Sequence, residues 1–403
     1  MDTAQTAQIK QDMAMEAGRK GPPEGFPRLP SIPAGRYVDP EFLNLEQEFM
    51  WKRAWLYGCH ADQIPEPGDW MLIRNTGSPI IVLRDLSGEF RAFYNTCQHR
   101  GAPLVTEDAG NGRGFVCGYH GWSYTLDGKL VAVRDKRDFA DFDMACHSLK
   151  PVRCETLGKL IFVNEDPEAE SLMDHLGPMA AEFEQFEFDK LDFVESRSYE
   201  VECNVKVLLD AFLEVYHLKS IHQKSVDRFL DHRGMTAVLW PKGHSRMVTP
   251  NRRPDWQDPG TIGMPKLPNV TEIPRDNNVS YMIYPNFVMP PSDSGIPLLQ
   301  FWPTGKNTCR VVSTWIAPEH DSENPHPKWE ERTANWERIL YEDLQYAPQI
   351  QESLESPGFV GMPLNYQERR LYHWHEELDR RIGANRLPDG LAVEPILEEW
   401  VDI

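Results

Sequence analysis

Two short segments, Cys97-Gln-His99 and Cys117-Gly-Tyr-His120, constrain this chain more than anything else in its sequence. Seventeen residues separate His99 from Cys117, and glycine sits in or beside each pair: Gly101 after the first, Gly118 and Gly121 in the second. Two loops that bring two thiols and two imidazoles together can enclose a metal centre, and glycine lets the backbone come close to it. The surrounding sequence suits such loops. From Asp69 to Val163, short β-branched runs (DWMLIR, PIIVLRD, FRAFYN, GFVCGY, KLVAV and KLIFVN) lie between turn signals, and Asp127-Gly128 favours a hairpin. The reading is a compact antiparallel β domain. A structural zinc takes two Cys and two His, but finger spacing groups Cys with Cys and His with His. Here each loop supplies one of each, which suits a [2Fe–2S] cluster with one iron on two thiolates and the other on two imidazoles.

Composition narrows the partners. Lys plus Arg number 42 and Asp plus Glu 62, a net charge of −20 over 403 residues. That repels a phosphate backbone and argues against nucleic acid. No uncharged apolar run approaches the roughly 18 residues of a bilayer-spanning helix, and MDTAQTAQIKQDM lacks the pattern of a secretory signal. A cytoplasmic protein with no membrane partner is expected. The seven cysteines (59, 97, 117, 146, 154, 203 and 309) suit thiols and metal ligands better than a disulfide scaffold. No Gly-rich phosphate loop is present, so NAD(P)H and flavin are expected on another protein.

Residues 1–39 read as a flexible tail, polar and then proline-rich. An amphipathic helix at 40–55 opens the β domain, which extends to 166, and can pack on the domain that follows. From 167 to 403 the pattern changes. FVESRSYEVECNV reads as a strand and VKVLLDAFLEVYHLKSIH as mostly helix. Residues 240–275 read as a long loop or lid, YMIYPNFVM, PLLQFWPT and CRVVSTWIAP as strands, and 326–383 as mainly helix. Strands followed by helices indicate an α+β fold.

The second domain carries Glu214-Val-Tyr-His217 and, five residues on, His222. Two His plus one carboxylate form the facial triad of non-haem Fe(II) sites. On an ideal helix, His217 and His222 lie roughly 140° apart, so they share a metal only if the helix ends, breaks or bulges between them. Glu214 and His217 share a face. Two buried, hydrogen-bonded histidines are the alternative.

The segments CQHRGAPL at 97–104 and CGYHGWSY at 117–124 resemble the cluster loops of Rieske non-haem iron ring-hydroxylating oxygenases, large (α) subunit. The resemblance runs from about residue 40 to the C-terminus. It implies an antiparallel β Rieske [2Fe–2S] domain followed by a helix-grip catalytic domain. It also implies that Cys97, His99, Cys117 and His120 hold the cluster, with Trp122 packing over the second loop. His217 and His222 then hold a mononuclear Fe(II), and Glu214 bridges to a cluster ligand of a neighbouring subunit. Where the family usually carries Asn-Trp-Lys and Glu-Asn, this chain has Asn204-Val205-Lys206 and Leu209-Asp210, so Asp210 replaces an amide near the iron. The third iron ligand is expected at the start of a downstream helix: Asp343, with Glu342 and Glu352 as alternatives. The implied activity is that of a terminal oxygenase using O₂ and electrons from an NAD(P)H-dependent reductase, with or without a ferredoxin. The assembly is a head-to-tail homotrimer, with or without a small β subunit. Substrates are aromatic or other apolar small molecules, or, as the alternative, quaternary or N-methyl amines. A Rieske electron carrier without catalysis is the non-enzymatic alternative.

Tyr281, Tyr284, Phe287, Phe301 and Trp302 lie on strands expected near the pocket. His373-Trp-His375-Glu376 looks metal-like, but i and i+2 do not face each other on a helix, so a surface or interface role is expected. Cys59-His60 and Cys146-His147 read as buried thiols beside ordinary histidines, and Cys154, Cys203 and Cys309 as core residues. Arg246, Arg252 and Arg253 read as loop salt bridges before substrate guides.

Overall fold

The computed structural model describes residues 1–75, 77–253 and 258–402. The chain divides into two units, Trp51–Leu172 and, as one body, Met1–Met50 with Met173–Ile403.

The first unit is antiparallel throughout. Its strands are β1 (Leu56–His60), β2 (Asp69–Ile73), β3 (Ile80–Arg84), β4 (Phe90–Tyr94), β5 (Ala109–Asn111), β6 (Gly114–Val116), β7 (Ser123–Thr125), β8 (Leu130–Ala132), β9 (Pro151–Leu157) and β10 (Leu160–Asn164). They form a seven-stranded sheet in the order β1-β10-β9-β4-β3-β2-β5 and a three-stranded sheet β6-β7-β8. Each run read as a strand contains one. β1 and β5 contain glycine and β9 opens on proline, residues that strands disfavour, and these three are absent from the sequence reading. In β3, Ile81 and Leu83 pack with Trp70, Phe93 and Phe115 on one face, while Ile80 and Val82 pack with Ile73, Ile161 and Val163 on the other. The first of these clusters also contains Cys97, Cys117, Trp122 and Tyr124, so the two cysteine loops are part of the core.

The Asp127-Gly128 hairpin closes with Gly128 N–H donating to the Thr125 carbonyl at 3.0 Å. Gly128 has φ +82°, and an added Cβ would lie 2.6 Å from the Phe93 ring. Gly128→Val is therefore expected to destabilise this unit by about 2–4 kcal/mol through left-handed strain and overpacking, read as a lower urea midpoint.

In the second unit, β11 (Leu191–Val201), β12 (Thr236–Leu239), β13 (Ser245–Thr249), β14 (Asn278–Ile283), β15 (Phe287–Met289), β16 (Ile296–Gly305) and β17 (Thr308–Pro318) make an antiparallel sheet, order β11-β17-β16-β15-β14-β13-β12. The helices used below are α1 (Thr3–Gly18), α2 (Gly35–Val38), α3 (Pro40–Phe49), α4 (Val205–Ala211), α5 (Leu218–Ile221), α6 (Lys328–Leu344), α7 (Ala347–Leu354) and α8 (Arg369–Ile382). The fold is α+β: an antiparallel β unit, and a unit of antiparallel sheet with helices. Among the described residues no helix is long and apolar enough to cross a membrane.

Residues 3–18 are helical, not a tail. Asp2 caps α1 by accepting from Gln5 N–H at 2.8 Å, Ile9 is buried, and Gln5 Nε2 and Glu16 bond to Glu182 and Tyr366. The helix is held by polar contacts that composition does not reveal. The segment 240–275 is not all loop. Residues 245–249 form β13, buried between β12 and β14, and its Arg246 hides the strand by carrying a charge that Glu182 neutralises. Residues 254–257 lie outside the described ones. Arg252 does make a loop salt bridge, to Asp227 at 3.2 Å, and Arg253 is exposed.

His373, His375 and Glu376 are buried, not at a surface. Each finds a partner: His373 Nε2–H donates to the Trp240 carbonyl at 2.8 Å, and Glu376 accepts from Ile396 and Leu397 N–H. Burial, opposed by bonding to backbone, holds His373 down at about 4. The unfolded chain binds this proton below about pH 6.5 and the folded chain does not, so stability is lost as pH falls from about 6.5 toward 4. His373→Gln is expected to flatten that acid limb by roughly 3 kcal/mol at most, measured as urea midpoints against pH. The cysteines read as core hold to that reading at 203 and 309, buried with Sγ atoms 3.6 Å apart, whereas Cys146 is exposed.

Candidate metal centres

The two cysteine loops are the same turn built twice. Cys97 N–H donates to the Ala102 carbonyl (2.8 Å) and Gly101 N–H returns to the Cys97 carbonyl (3.0 Å). Cys117 N–H donates to the Trp122 carbonyl (2.8 Å) and Gly121 N–H to the Cys117 carbonyl (2.9 Å). Gly101 and Gly121 take φ +74° and +73°, the left-handed conformation that closes each turn. Both thiols are buried. Desolvation, with Cys117 beside it, raises the Cys97 pKa, while Tyr124 lies 3.4 Å from its Sγ and favours the thiolate. His99 Nδ1 and His120 Nδ1 face each other at 3.1 Å. Desolvation, and after it the neighbouring His120 and Arg100, lower the His99 pKa, which keeps its imidazole neutral and able to ligate. Trp122 stacks on His99 of the first loop, ring centroids 4.7 Å apart, where the sequence reading had it over the second.

The second centre depends on a broken helix. α4 ends at Ala211, and α5 restarts with His217 at its N-cap and His222 at its C-cap. Only four residues lie between the caps, and the two rings sit 5.2 Å apart. Asp343 lies in the last turn of α6, not at a helix start. Its Oδ1 is buried without a hydrogen bond, 3.2 Å from His222 Nε2 and 3.6 Å from His217 Nε2. Among the described residues these three alone bring donor atoms within 4.8 Å of one another as a His/Cys/Asp/Glu group.

Each imidazole is oriented from behind. Glu214 Oε1 takes the Nδ1–H of His217, and Glu342 Oε2 takes that of His222 at 2.6 Å, with Ser225 Oγ donating to the same oxygen. Both Nε2 atoms are thereby left as acceptors, the arrangement that metal-bound histidines use. Glu342 thus differs from its reading as an alternative ligand, and Glu352 is exposed on α7. Adjacent residues on a helix point about 100° apart, which is how Glu342 and Asp343 serve different atoms. Burial pulls both histidines down, but Glu214 and Asp343 for His217, and Asp343 and Glu342 for His222, outweigh it and raise them. Three acids at this point, two of them at the negative end of α6 with no basic residue in its last turn, call for a cation.

A cavity of about 330 Å³ opens on His217 and Asp343. Val207, Leu208, Ile350, Leu354 and Phe359 make it apolar, and Tyr37, Asp210, Glu214 and Glu368 give it polar points. Tyr281, Tyr284, Phe287, Phe301 and Trp302 do not line it. All five are buried core, because their strands are covered on both faces. Tyr37 and His375, absent from the site as read in sequence, stand behind Asp210. Their spacing along the chain carries no local signal.

Comparison with known proteins now adds to this geometry. Residues 54–145 match the Rieske [2Fe-2S] domain and residues 188–384 match the ring hydroxylating alpha subunit (catalytic domain). The chain is 33% identical over 204 residues to the anthranilate 1,2-dioxygenase large subunit of Acinetobacter baylyi, covering 49% of this chain and 43% of that one. It is 30% identical over 203 residues to the glycine betaine monooxygenase oxygenase subunit of Chromohalobacter salexigens, 50% of this chain and 45% of that one. The matched stretches thus span under half of these relatives. The fold superposes on a quaternary ammonium Rieske monooxygenase with a TM-score of 0.75 at 20% identity, covering 90% of this chain and 99% of the other. A Rieske domain ahead of a ring-hydroxylating catalytic domain, with donor sets that fit a [2Fe–2S] cluster and a mononuclear iron, places this chain in the family of Rieske non-haem iron oxygenase large subunits.

Proposed function

We propose that this chain is the terminal oxygenase of a Rieske system, with Cys97, His99, Cys117 and His120 as cluster ligands and His217, His222 and Asp343 as iron ligands. One observation carries the reading: two imidazoles whose Nδ1 atoms are already held by carboxylates aim both Nε2 atoms at one unsatisfied Asp343 oxygen. When bound, the cluster stores an electron and the iron binds and activates O₂ beside substrate. The chain does the rest. Glu214 and Glu342 fix the imidazole tautomers, the short helix α5 holds His217 and His222 at its two ends, and the apolar walls limit water around the reacting atoms.

Electrons come from an NAD(P)H-dependent reductase, with or without a ferredoxin, since the sequence has no dinucleotide loop. Glu214 is the bridge to a neighbouring subunit's cluster. Exposed apolar groups support a homotrimer in which copies meet near these sites: Tyr119 and Val116 beside one cluster loop, and Tyr216, Tyr341 and Val360 on the catalytic unit. Apolar walls support an aromatic or other apolar substrate. A second reading, an N-methyl or quaternary amine, is favoured by Asp210, Glu214, Asp343 and Glu368 lining the cavity with no Lys or Arg among them. Oxygen uptake with a surrogate reductase, screened over aromatics and N-methyl amines, tests both. Uptake stimulated by neither class would count against the proposal. Glu342→Gln is expected to weaken iron binding roughly 10- to 100-fold, measured by competition with a chelator.

A further inference from the structure

Behind the cavity wall lies a buried set of charges that the oxygenase reading does not use. Tyr37 Oη donates to Asp210 Oδ2 and lies 3.2 Å from His375 Nε2. Arg36 Nε–H donates to His375 Nδ1 at 3.1 Å. A guanidinium is never an acceptor, so Nδ1 is the accepting nitrogen and Nε2 carries the hydrogen of a neutral ring. That N–H faces Tyr37 Oη and, at 3.7 Å, Asp210 Oδ1. All four side chains are at least nine-tenths buried.

The groups that face Asp210 come from every neighbouring element: Arg36 and Tyr37 on α2, Glu46 on α3, Lys206 on its own helix α4, His375 on α8, and Glu214 and Glu368 beside the cavity; Asp379 on α8 lies beyond Arg36. Lys206 pairs with Glu46 at 2.7 Å and Arg36 with Asp379 at 2.7 Å. Those two pairs cancel. Asp210 has no cation of its own, so its ionised form adds an uncompensated negative charge beside Glu214 and Glu368, and its protonated form adds none. An uncompensated buried charge is costly. Yet Asp210 and Tyr37 also line the cavity that holds His217 and Asp343.

We propose that Asp210 is a proton reservoir for the reacting site, holding one acid proton on the cavity wall and refilling it from cavity solvent. This rests on the oxygenase reading, in which hydroxylation balances as RH, O₂, two electrons from the reductase and two protons giving ROH and water. In delivery the Asp210 O–H bond breaks, its electron pair stays on the carboxylate, and the proton passes to a basic oxygen in the cavity. The carboxylate left behind is held by the Tyr37 hydroxyl and faced by the His375 Nε2–H, so ionisation is costly but not prohibitive. In refilling, a proton from cavity water re-forms the O–H bond. Burial, opposed by the Tyr37 hydrogen bond and by Lys206 and Arg36, holds Asp210 up at about 7, where it both keeps and releases a proton near neutrality.

The test begins on the metal-free full chain, by infrared titration of the carbonyl stretch of protonated carboxylic acids. Burial also raises Glu368 to about 7, so the band expected to disappear as pH rises through about 7 is the sum of two acids: it is reduced in Asp210→Asn, reduced in Glu368→Gln and missing only when both are replaced. Tyr37→Phe, which removes a donor to the ionised form, is expected to move its midpoint upward, and this carries the test if Asp210→Asn does not fold. On the metal-loaded enzyme, Asp210→Asn is expected to slow turnover about 10²-fold, flatten its neutral pH profile and enlarge its solvent hydrogen isotope effect. No such band, a band unaffected by Asp210→Asn, or a wild-type pH profile in that variant would overturn the reservoir. If the band behaves as described but the loaded chain takes up no oxygen with any substrate, the oxygenase reading fails instead.

Discussion

Replacing His217 and His222 together by alanine is expected to leave the cluster's absorbance and its reduced-state EPR signal intact while mononuclear iron and substrate-stimulated oxygen uptake fall to background. The expectation follows from where the ligands sit. His217 and His222 cap the two ends of α5 in the second unit, whereas the cysteine loops close on their own backbone hydrogen bonds in the first. Without the imidazoles, a single buried Asp343 oxygen is the only donor left of the three that converge, and one carboxylate does not hold an iron. Iron analysis of the variant with EPR before and after dithionite checks this. Full activity in the double variant would end the assignment of this site.

The second large effect is expected at Glu214. Its Oε1 fixes the His217 tautomer, and its Oε2 accepts from the backbone N–H groups of Tyr216 and His217. Carboxylate oxygens keep further lone pairs for another donor, which is what a bridge to a neighbouring cluster ligand needs. Glu214→Ala is expected to keep the cluster and, at saturating iron, the mononuclear iron, since three iron ligands remain, but to lose roughly 10- to 100-fold in coupled turnover. Single-turnover product formation, with the cluster reduced beforehand, separates the two losses. Slow cluster oxidation with normal iron content supports the bridge, and unchanged turnover removes Glu214 from the electron path.

The candidate metal sites were far more legible than the cavity. Cys-x-His and Cys-x₂-His are local patterns, each closed by a glycine that must take positive φ, so spacing and residue type carried the information. That the helix could not run on past both histidines could be inferred, because imidazoles five residues apart diverge on an intact one. The chain breaks at 212–217, ahead of His217, and the helix ends at Ile221, just before His222. Asp343 was separable from Glu342 only in space, because neighbouring acids have equal claims until their directions are known. The aromatic strand residues misled because alternation in a sheet does not say which face is covered. Tyr37 and His375 could not have been found: each touches Asp210 across more than 160 residues of chain, and the partners of the His-x-His pair in α8 are equally remote, Arg36 and Tyr37 for His375 and Trp240 for His373. The same cause hid α1, whose anchors are single polar contacts rather than an apolar face.

The account stands on two distinct iron sites in one polypeptide, and metal and sulfide analysis of the fully loaded protein, paired with EPR after dithionite, tests it most directly. It predicts a coloured protein with more iron than labile sulfide, a reduced-cluster signal, and a remaining iron that Asp343→Asn together with His222→Ala removes. Iron equal to sulfide in an active preparation, or zinc in a colourless one, would contradict it.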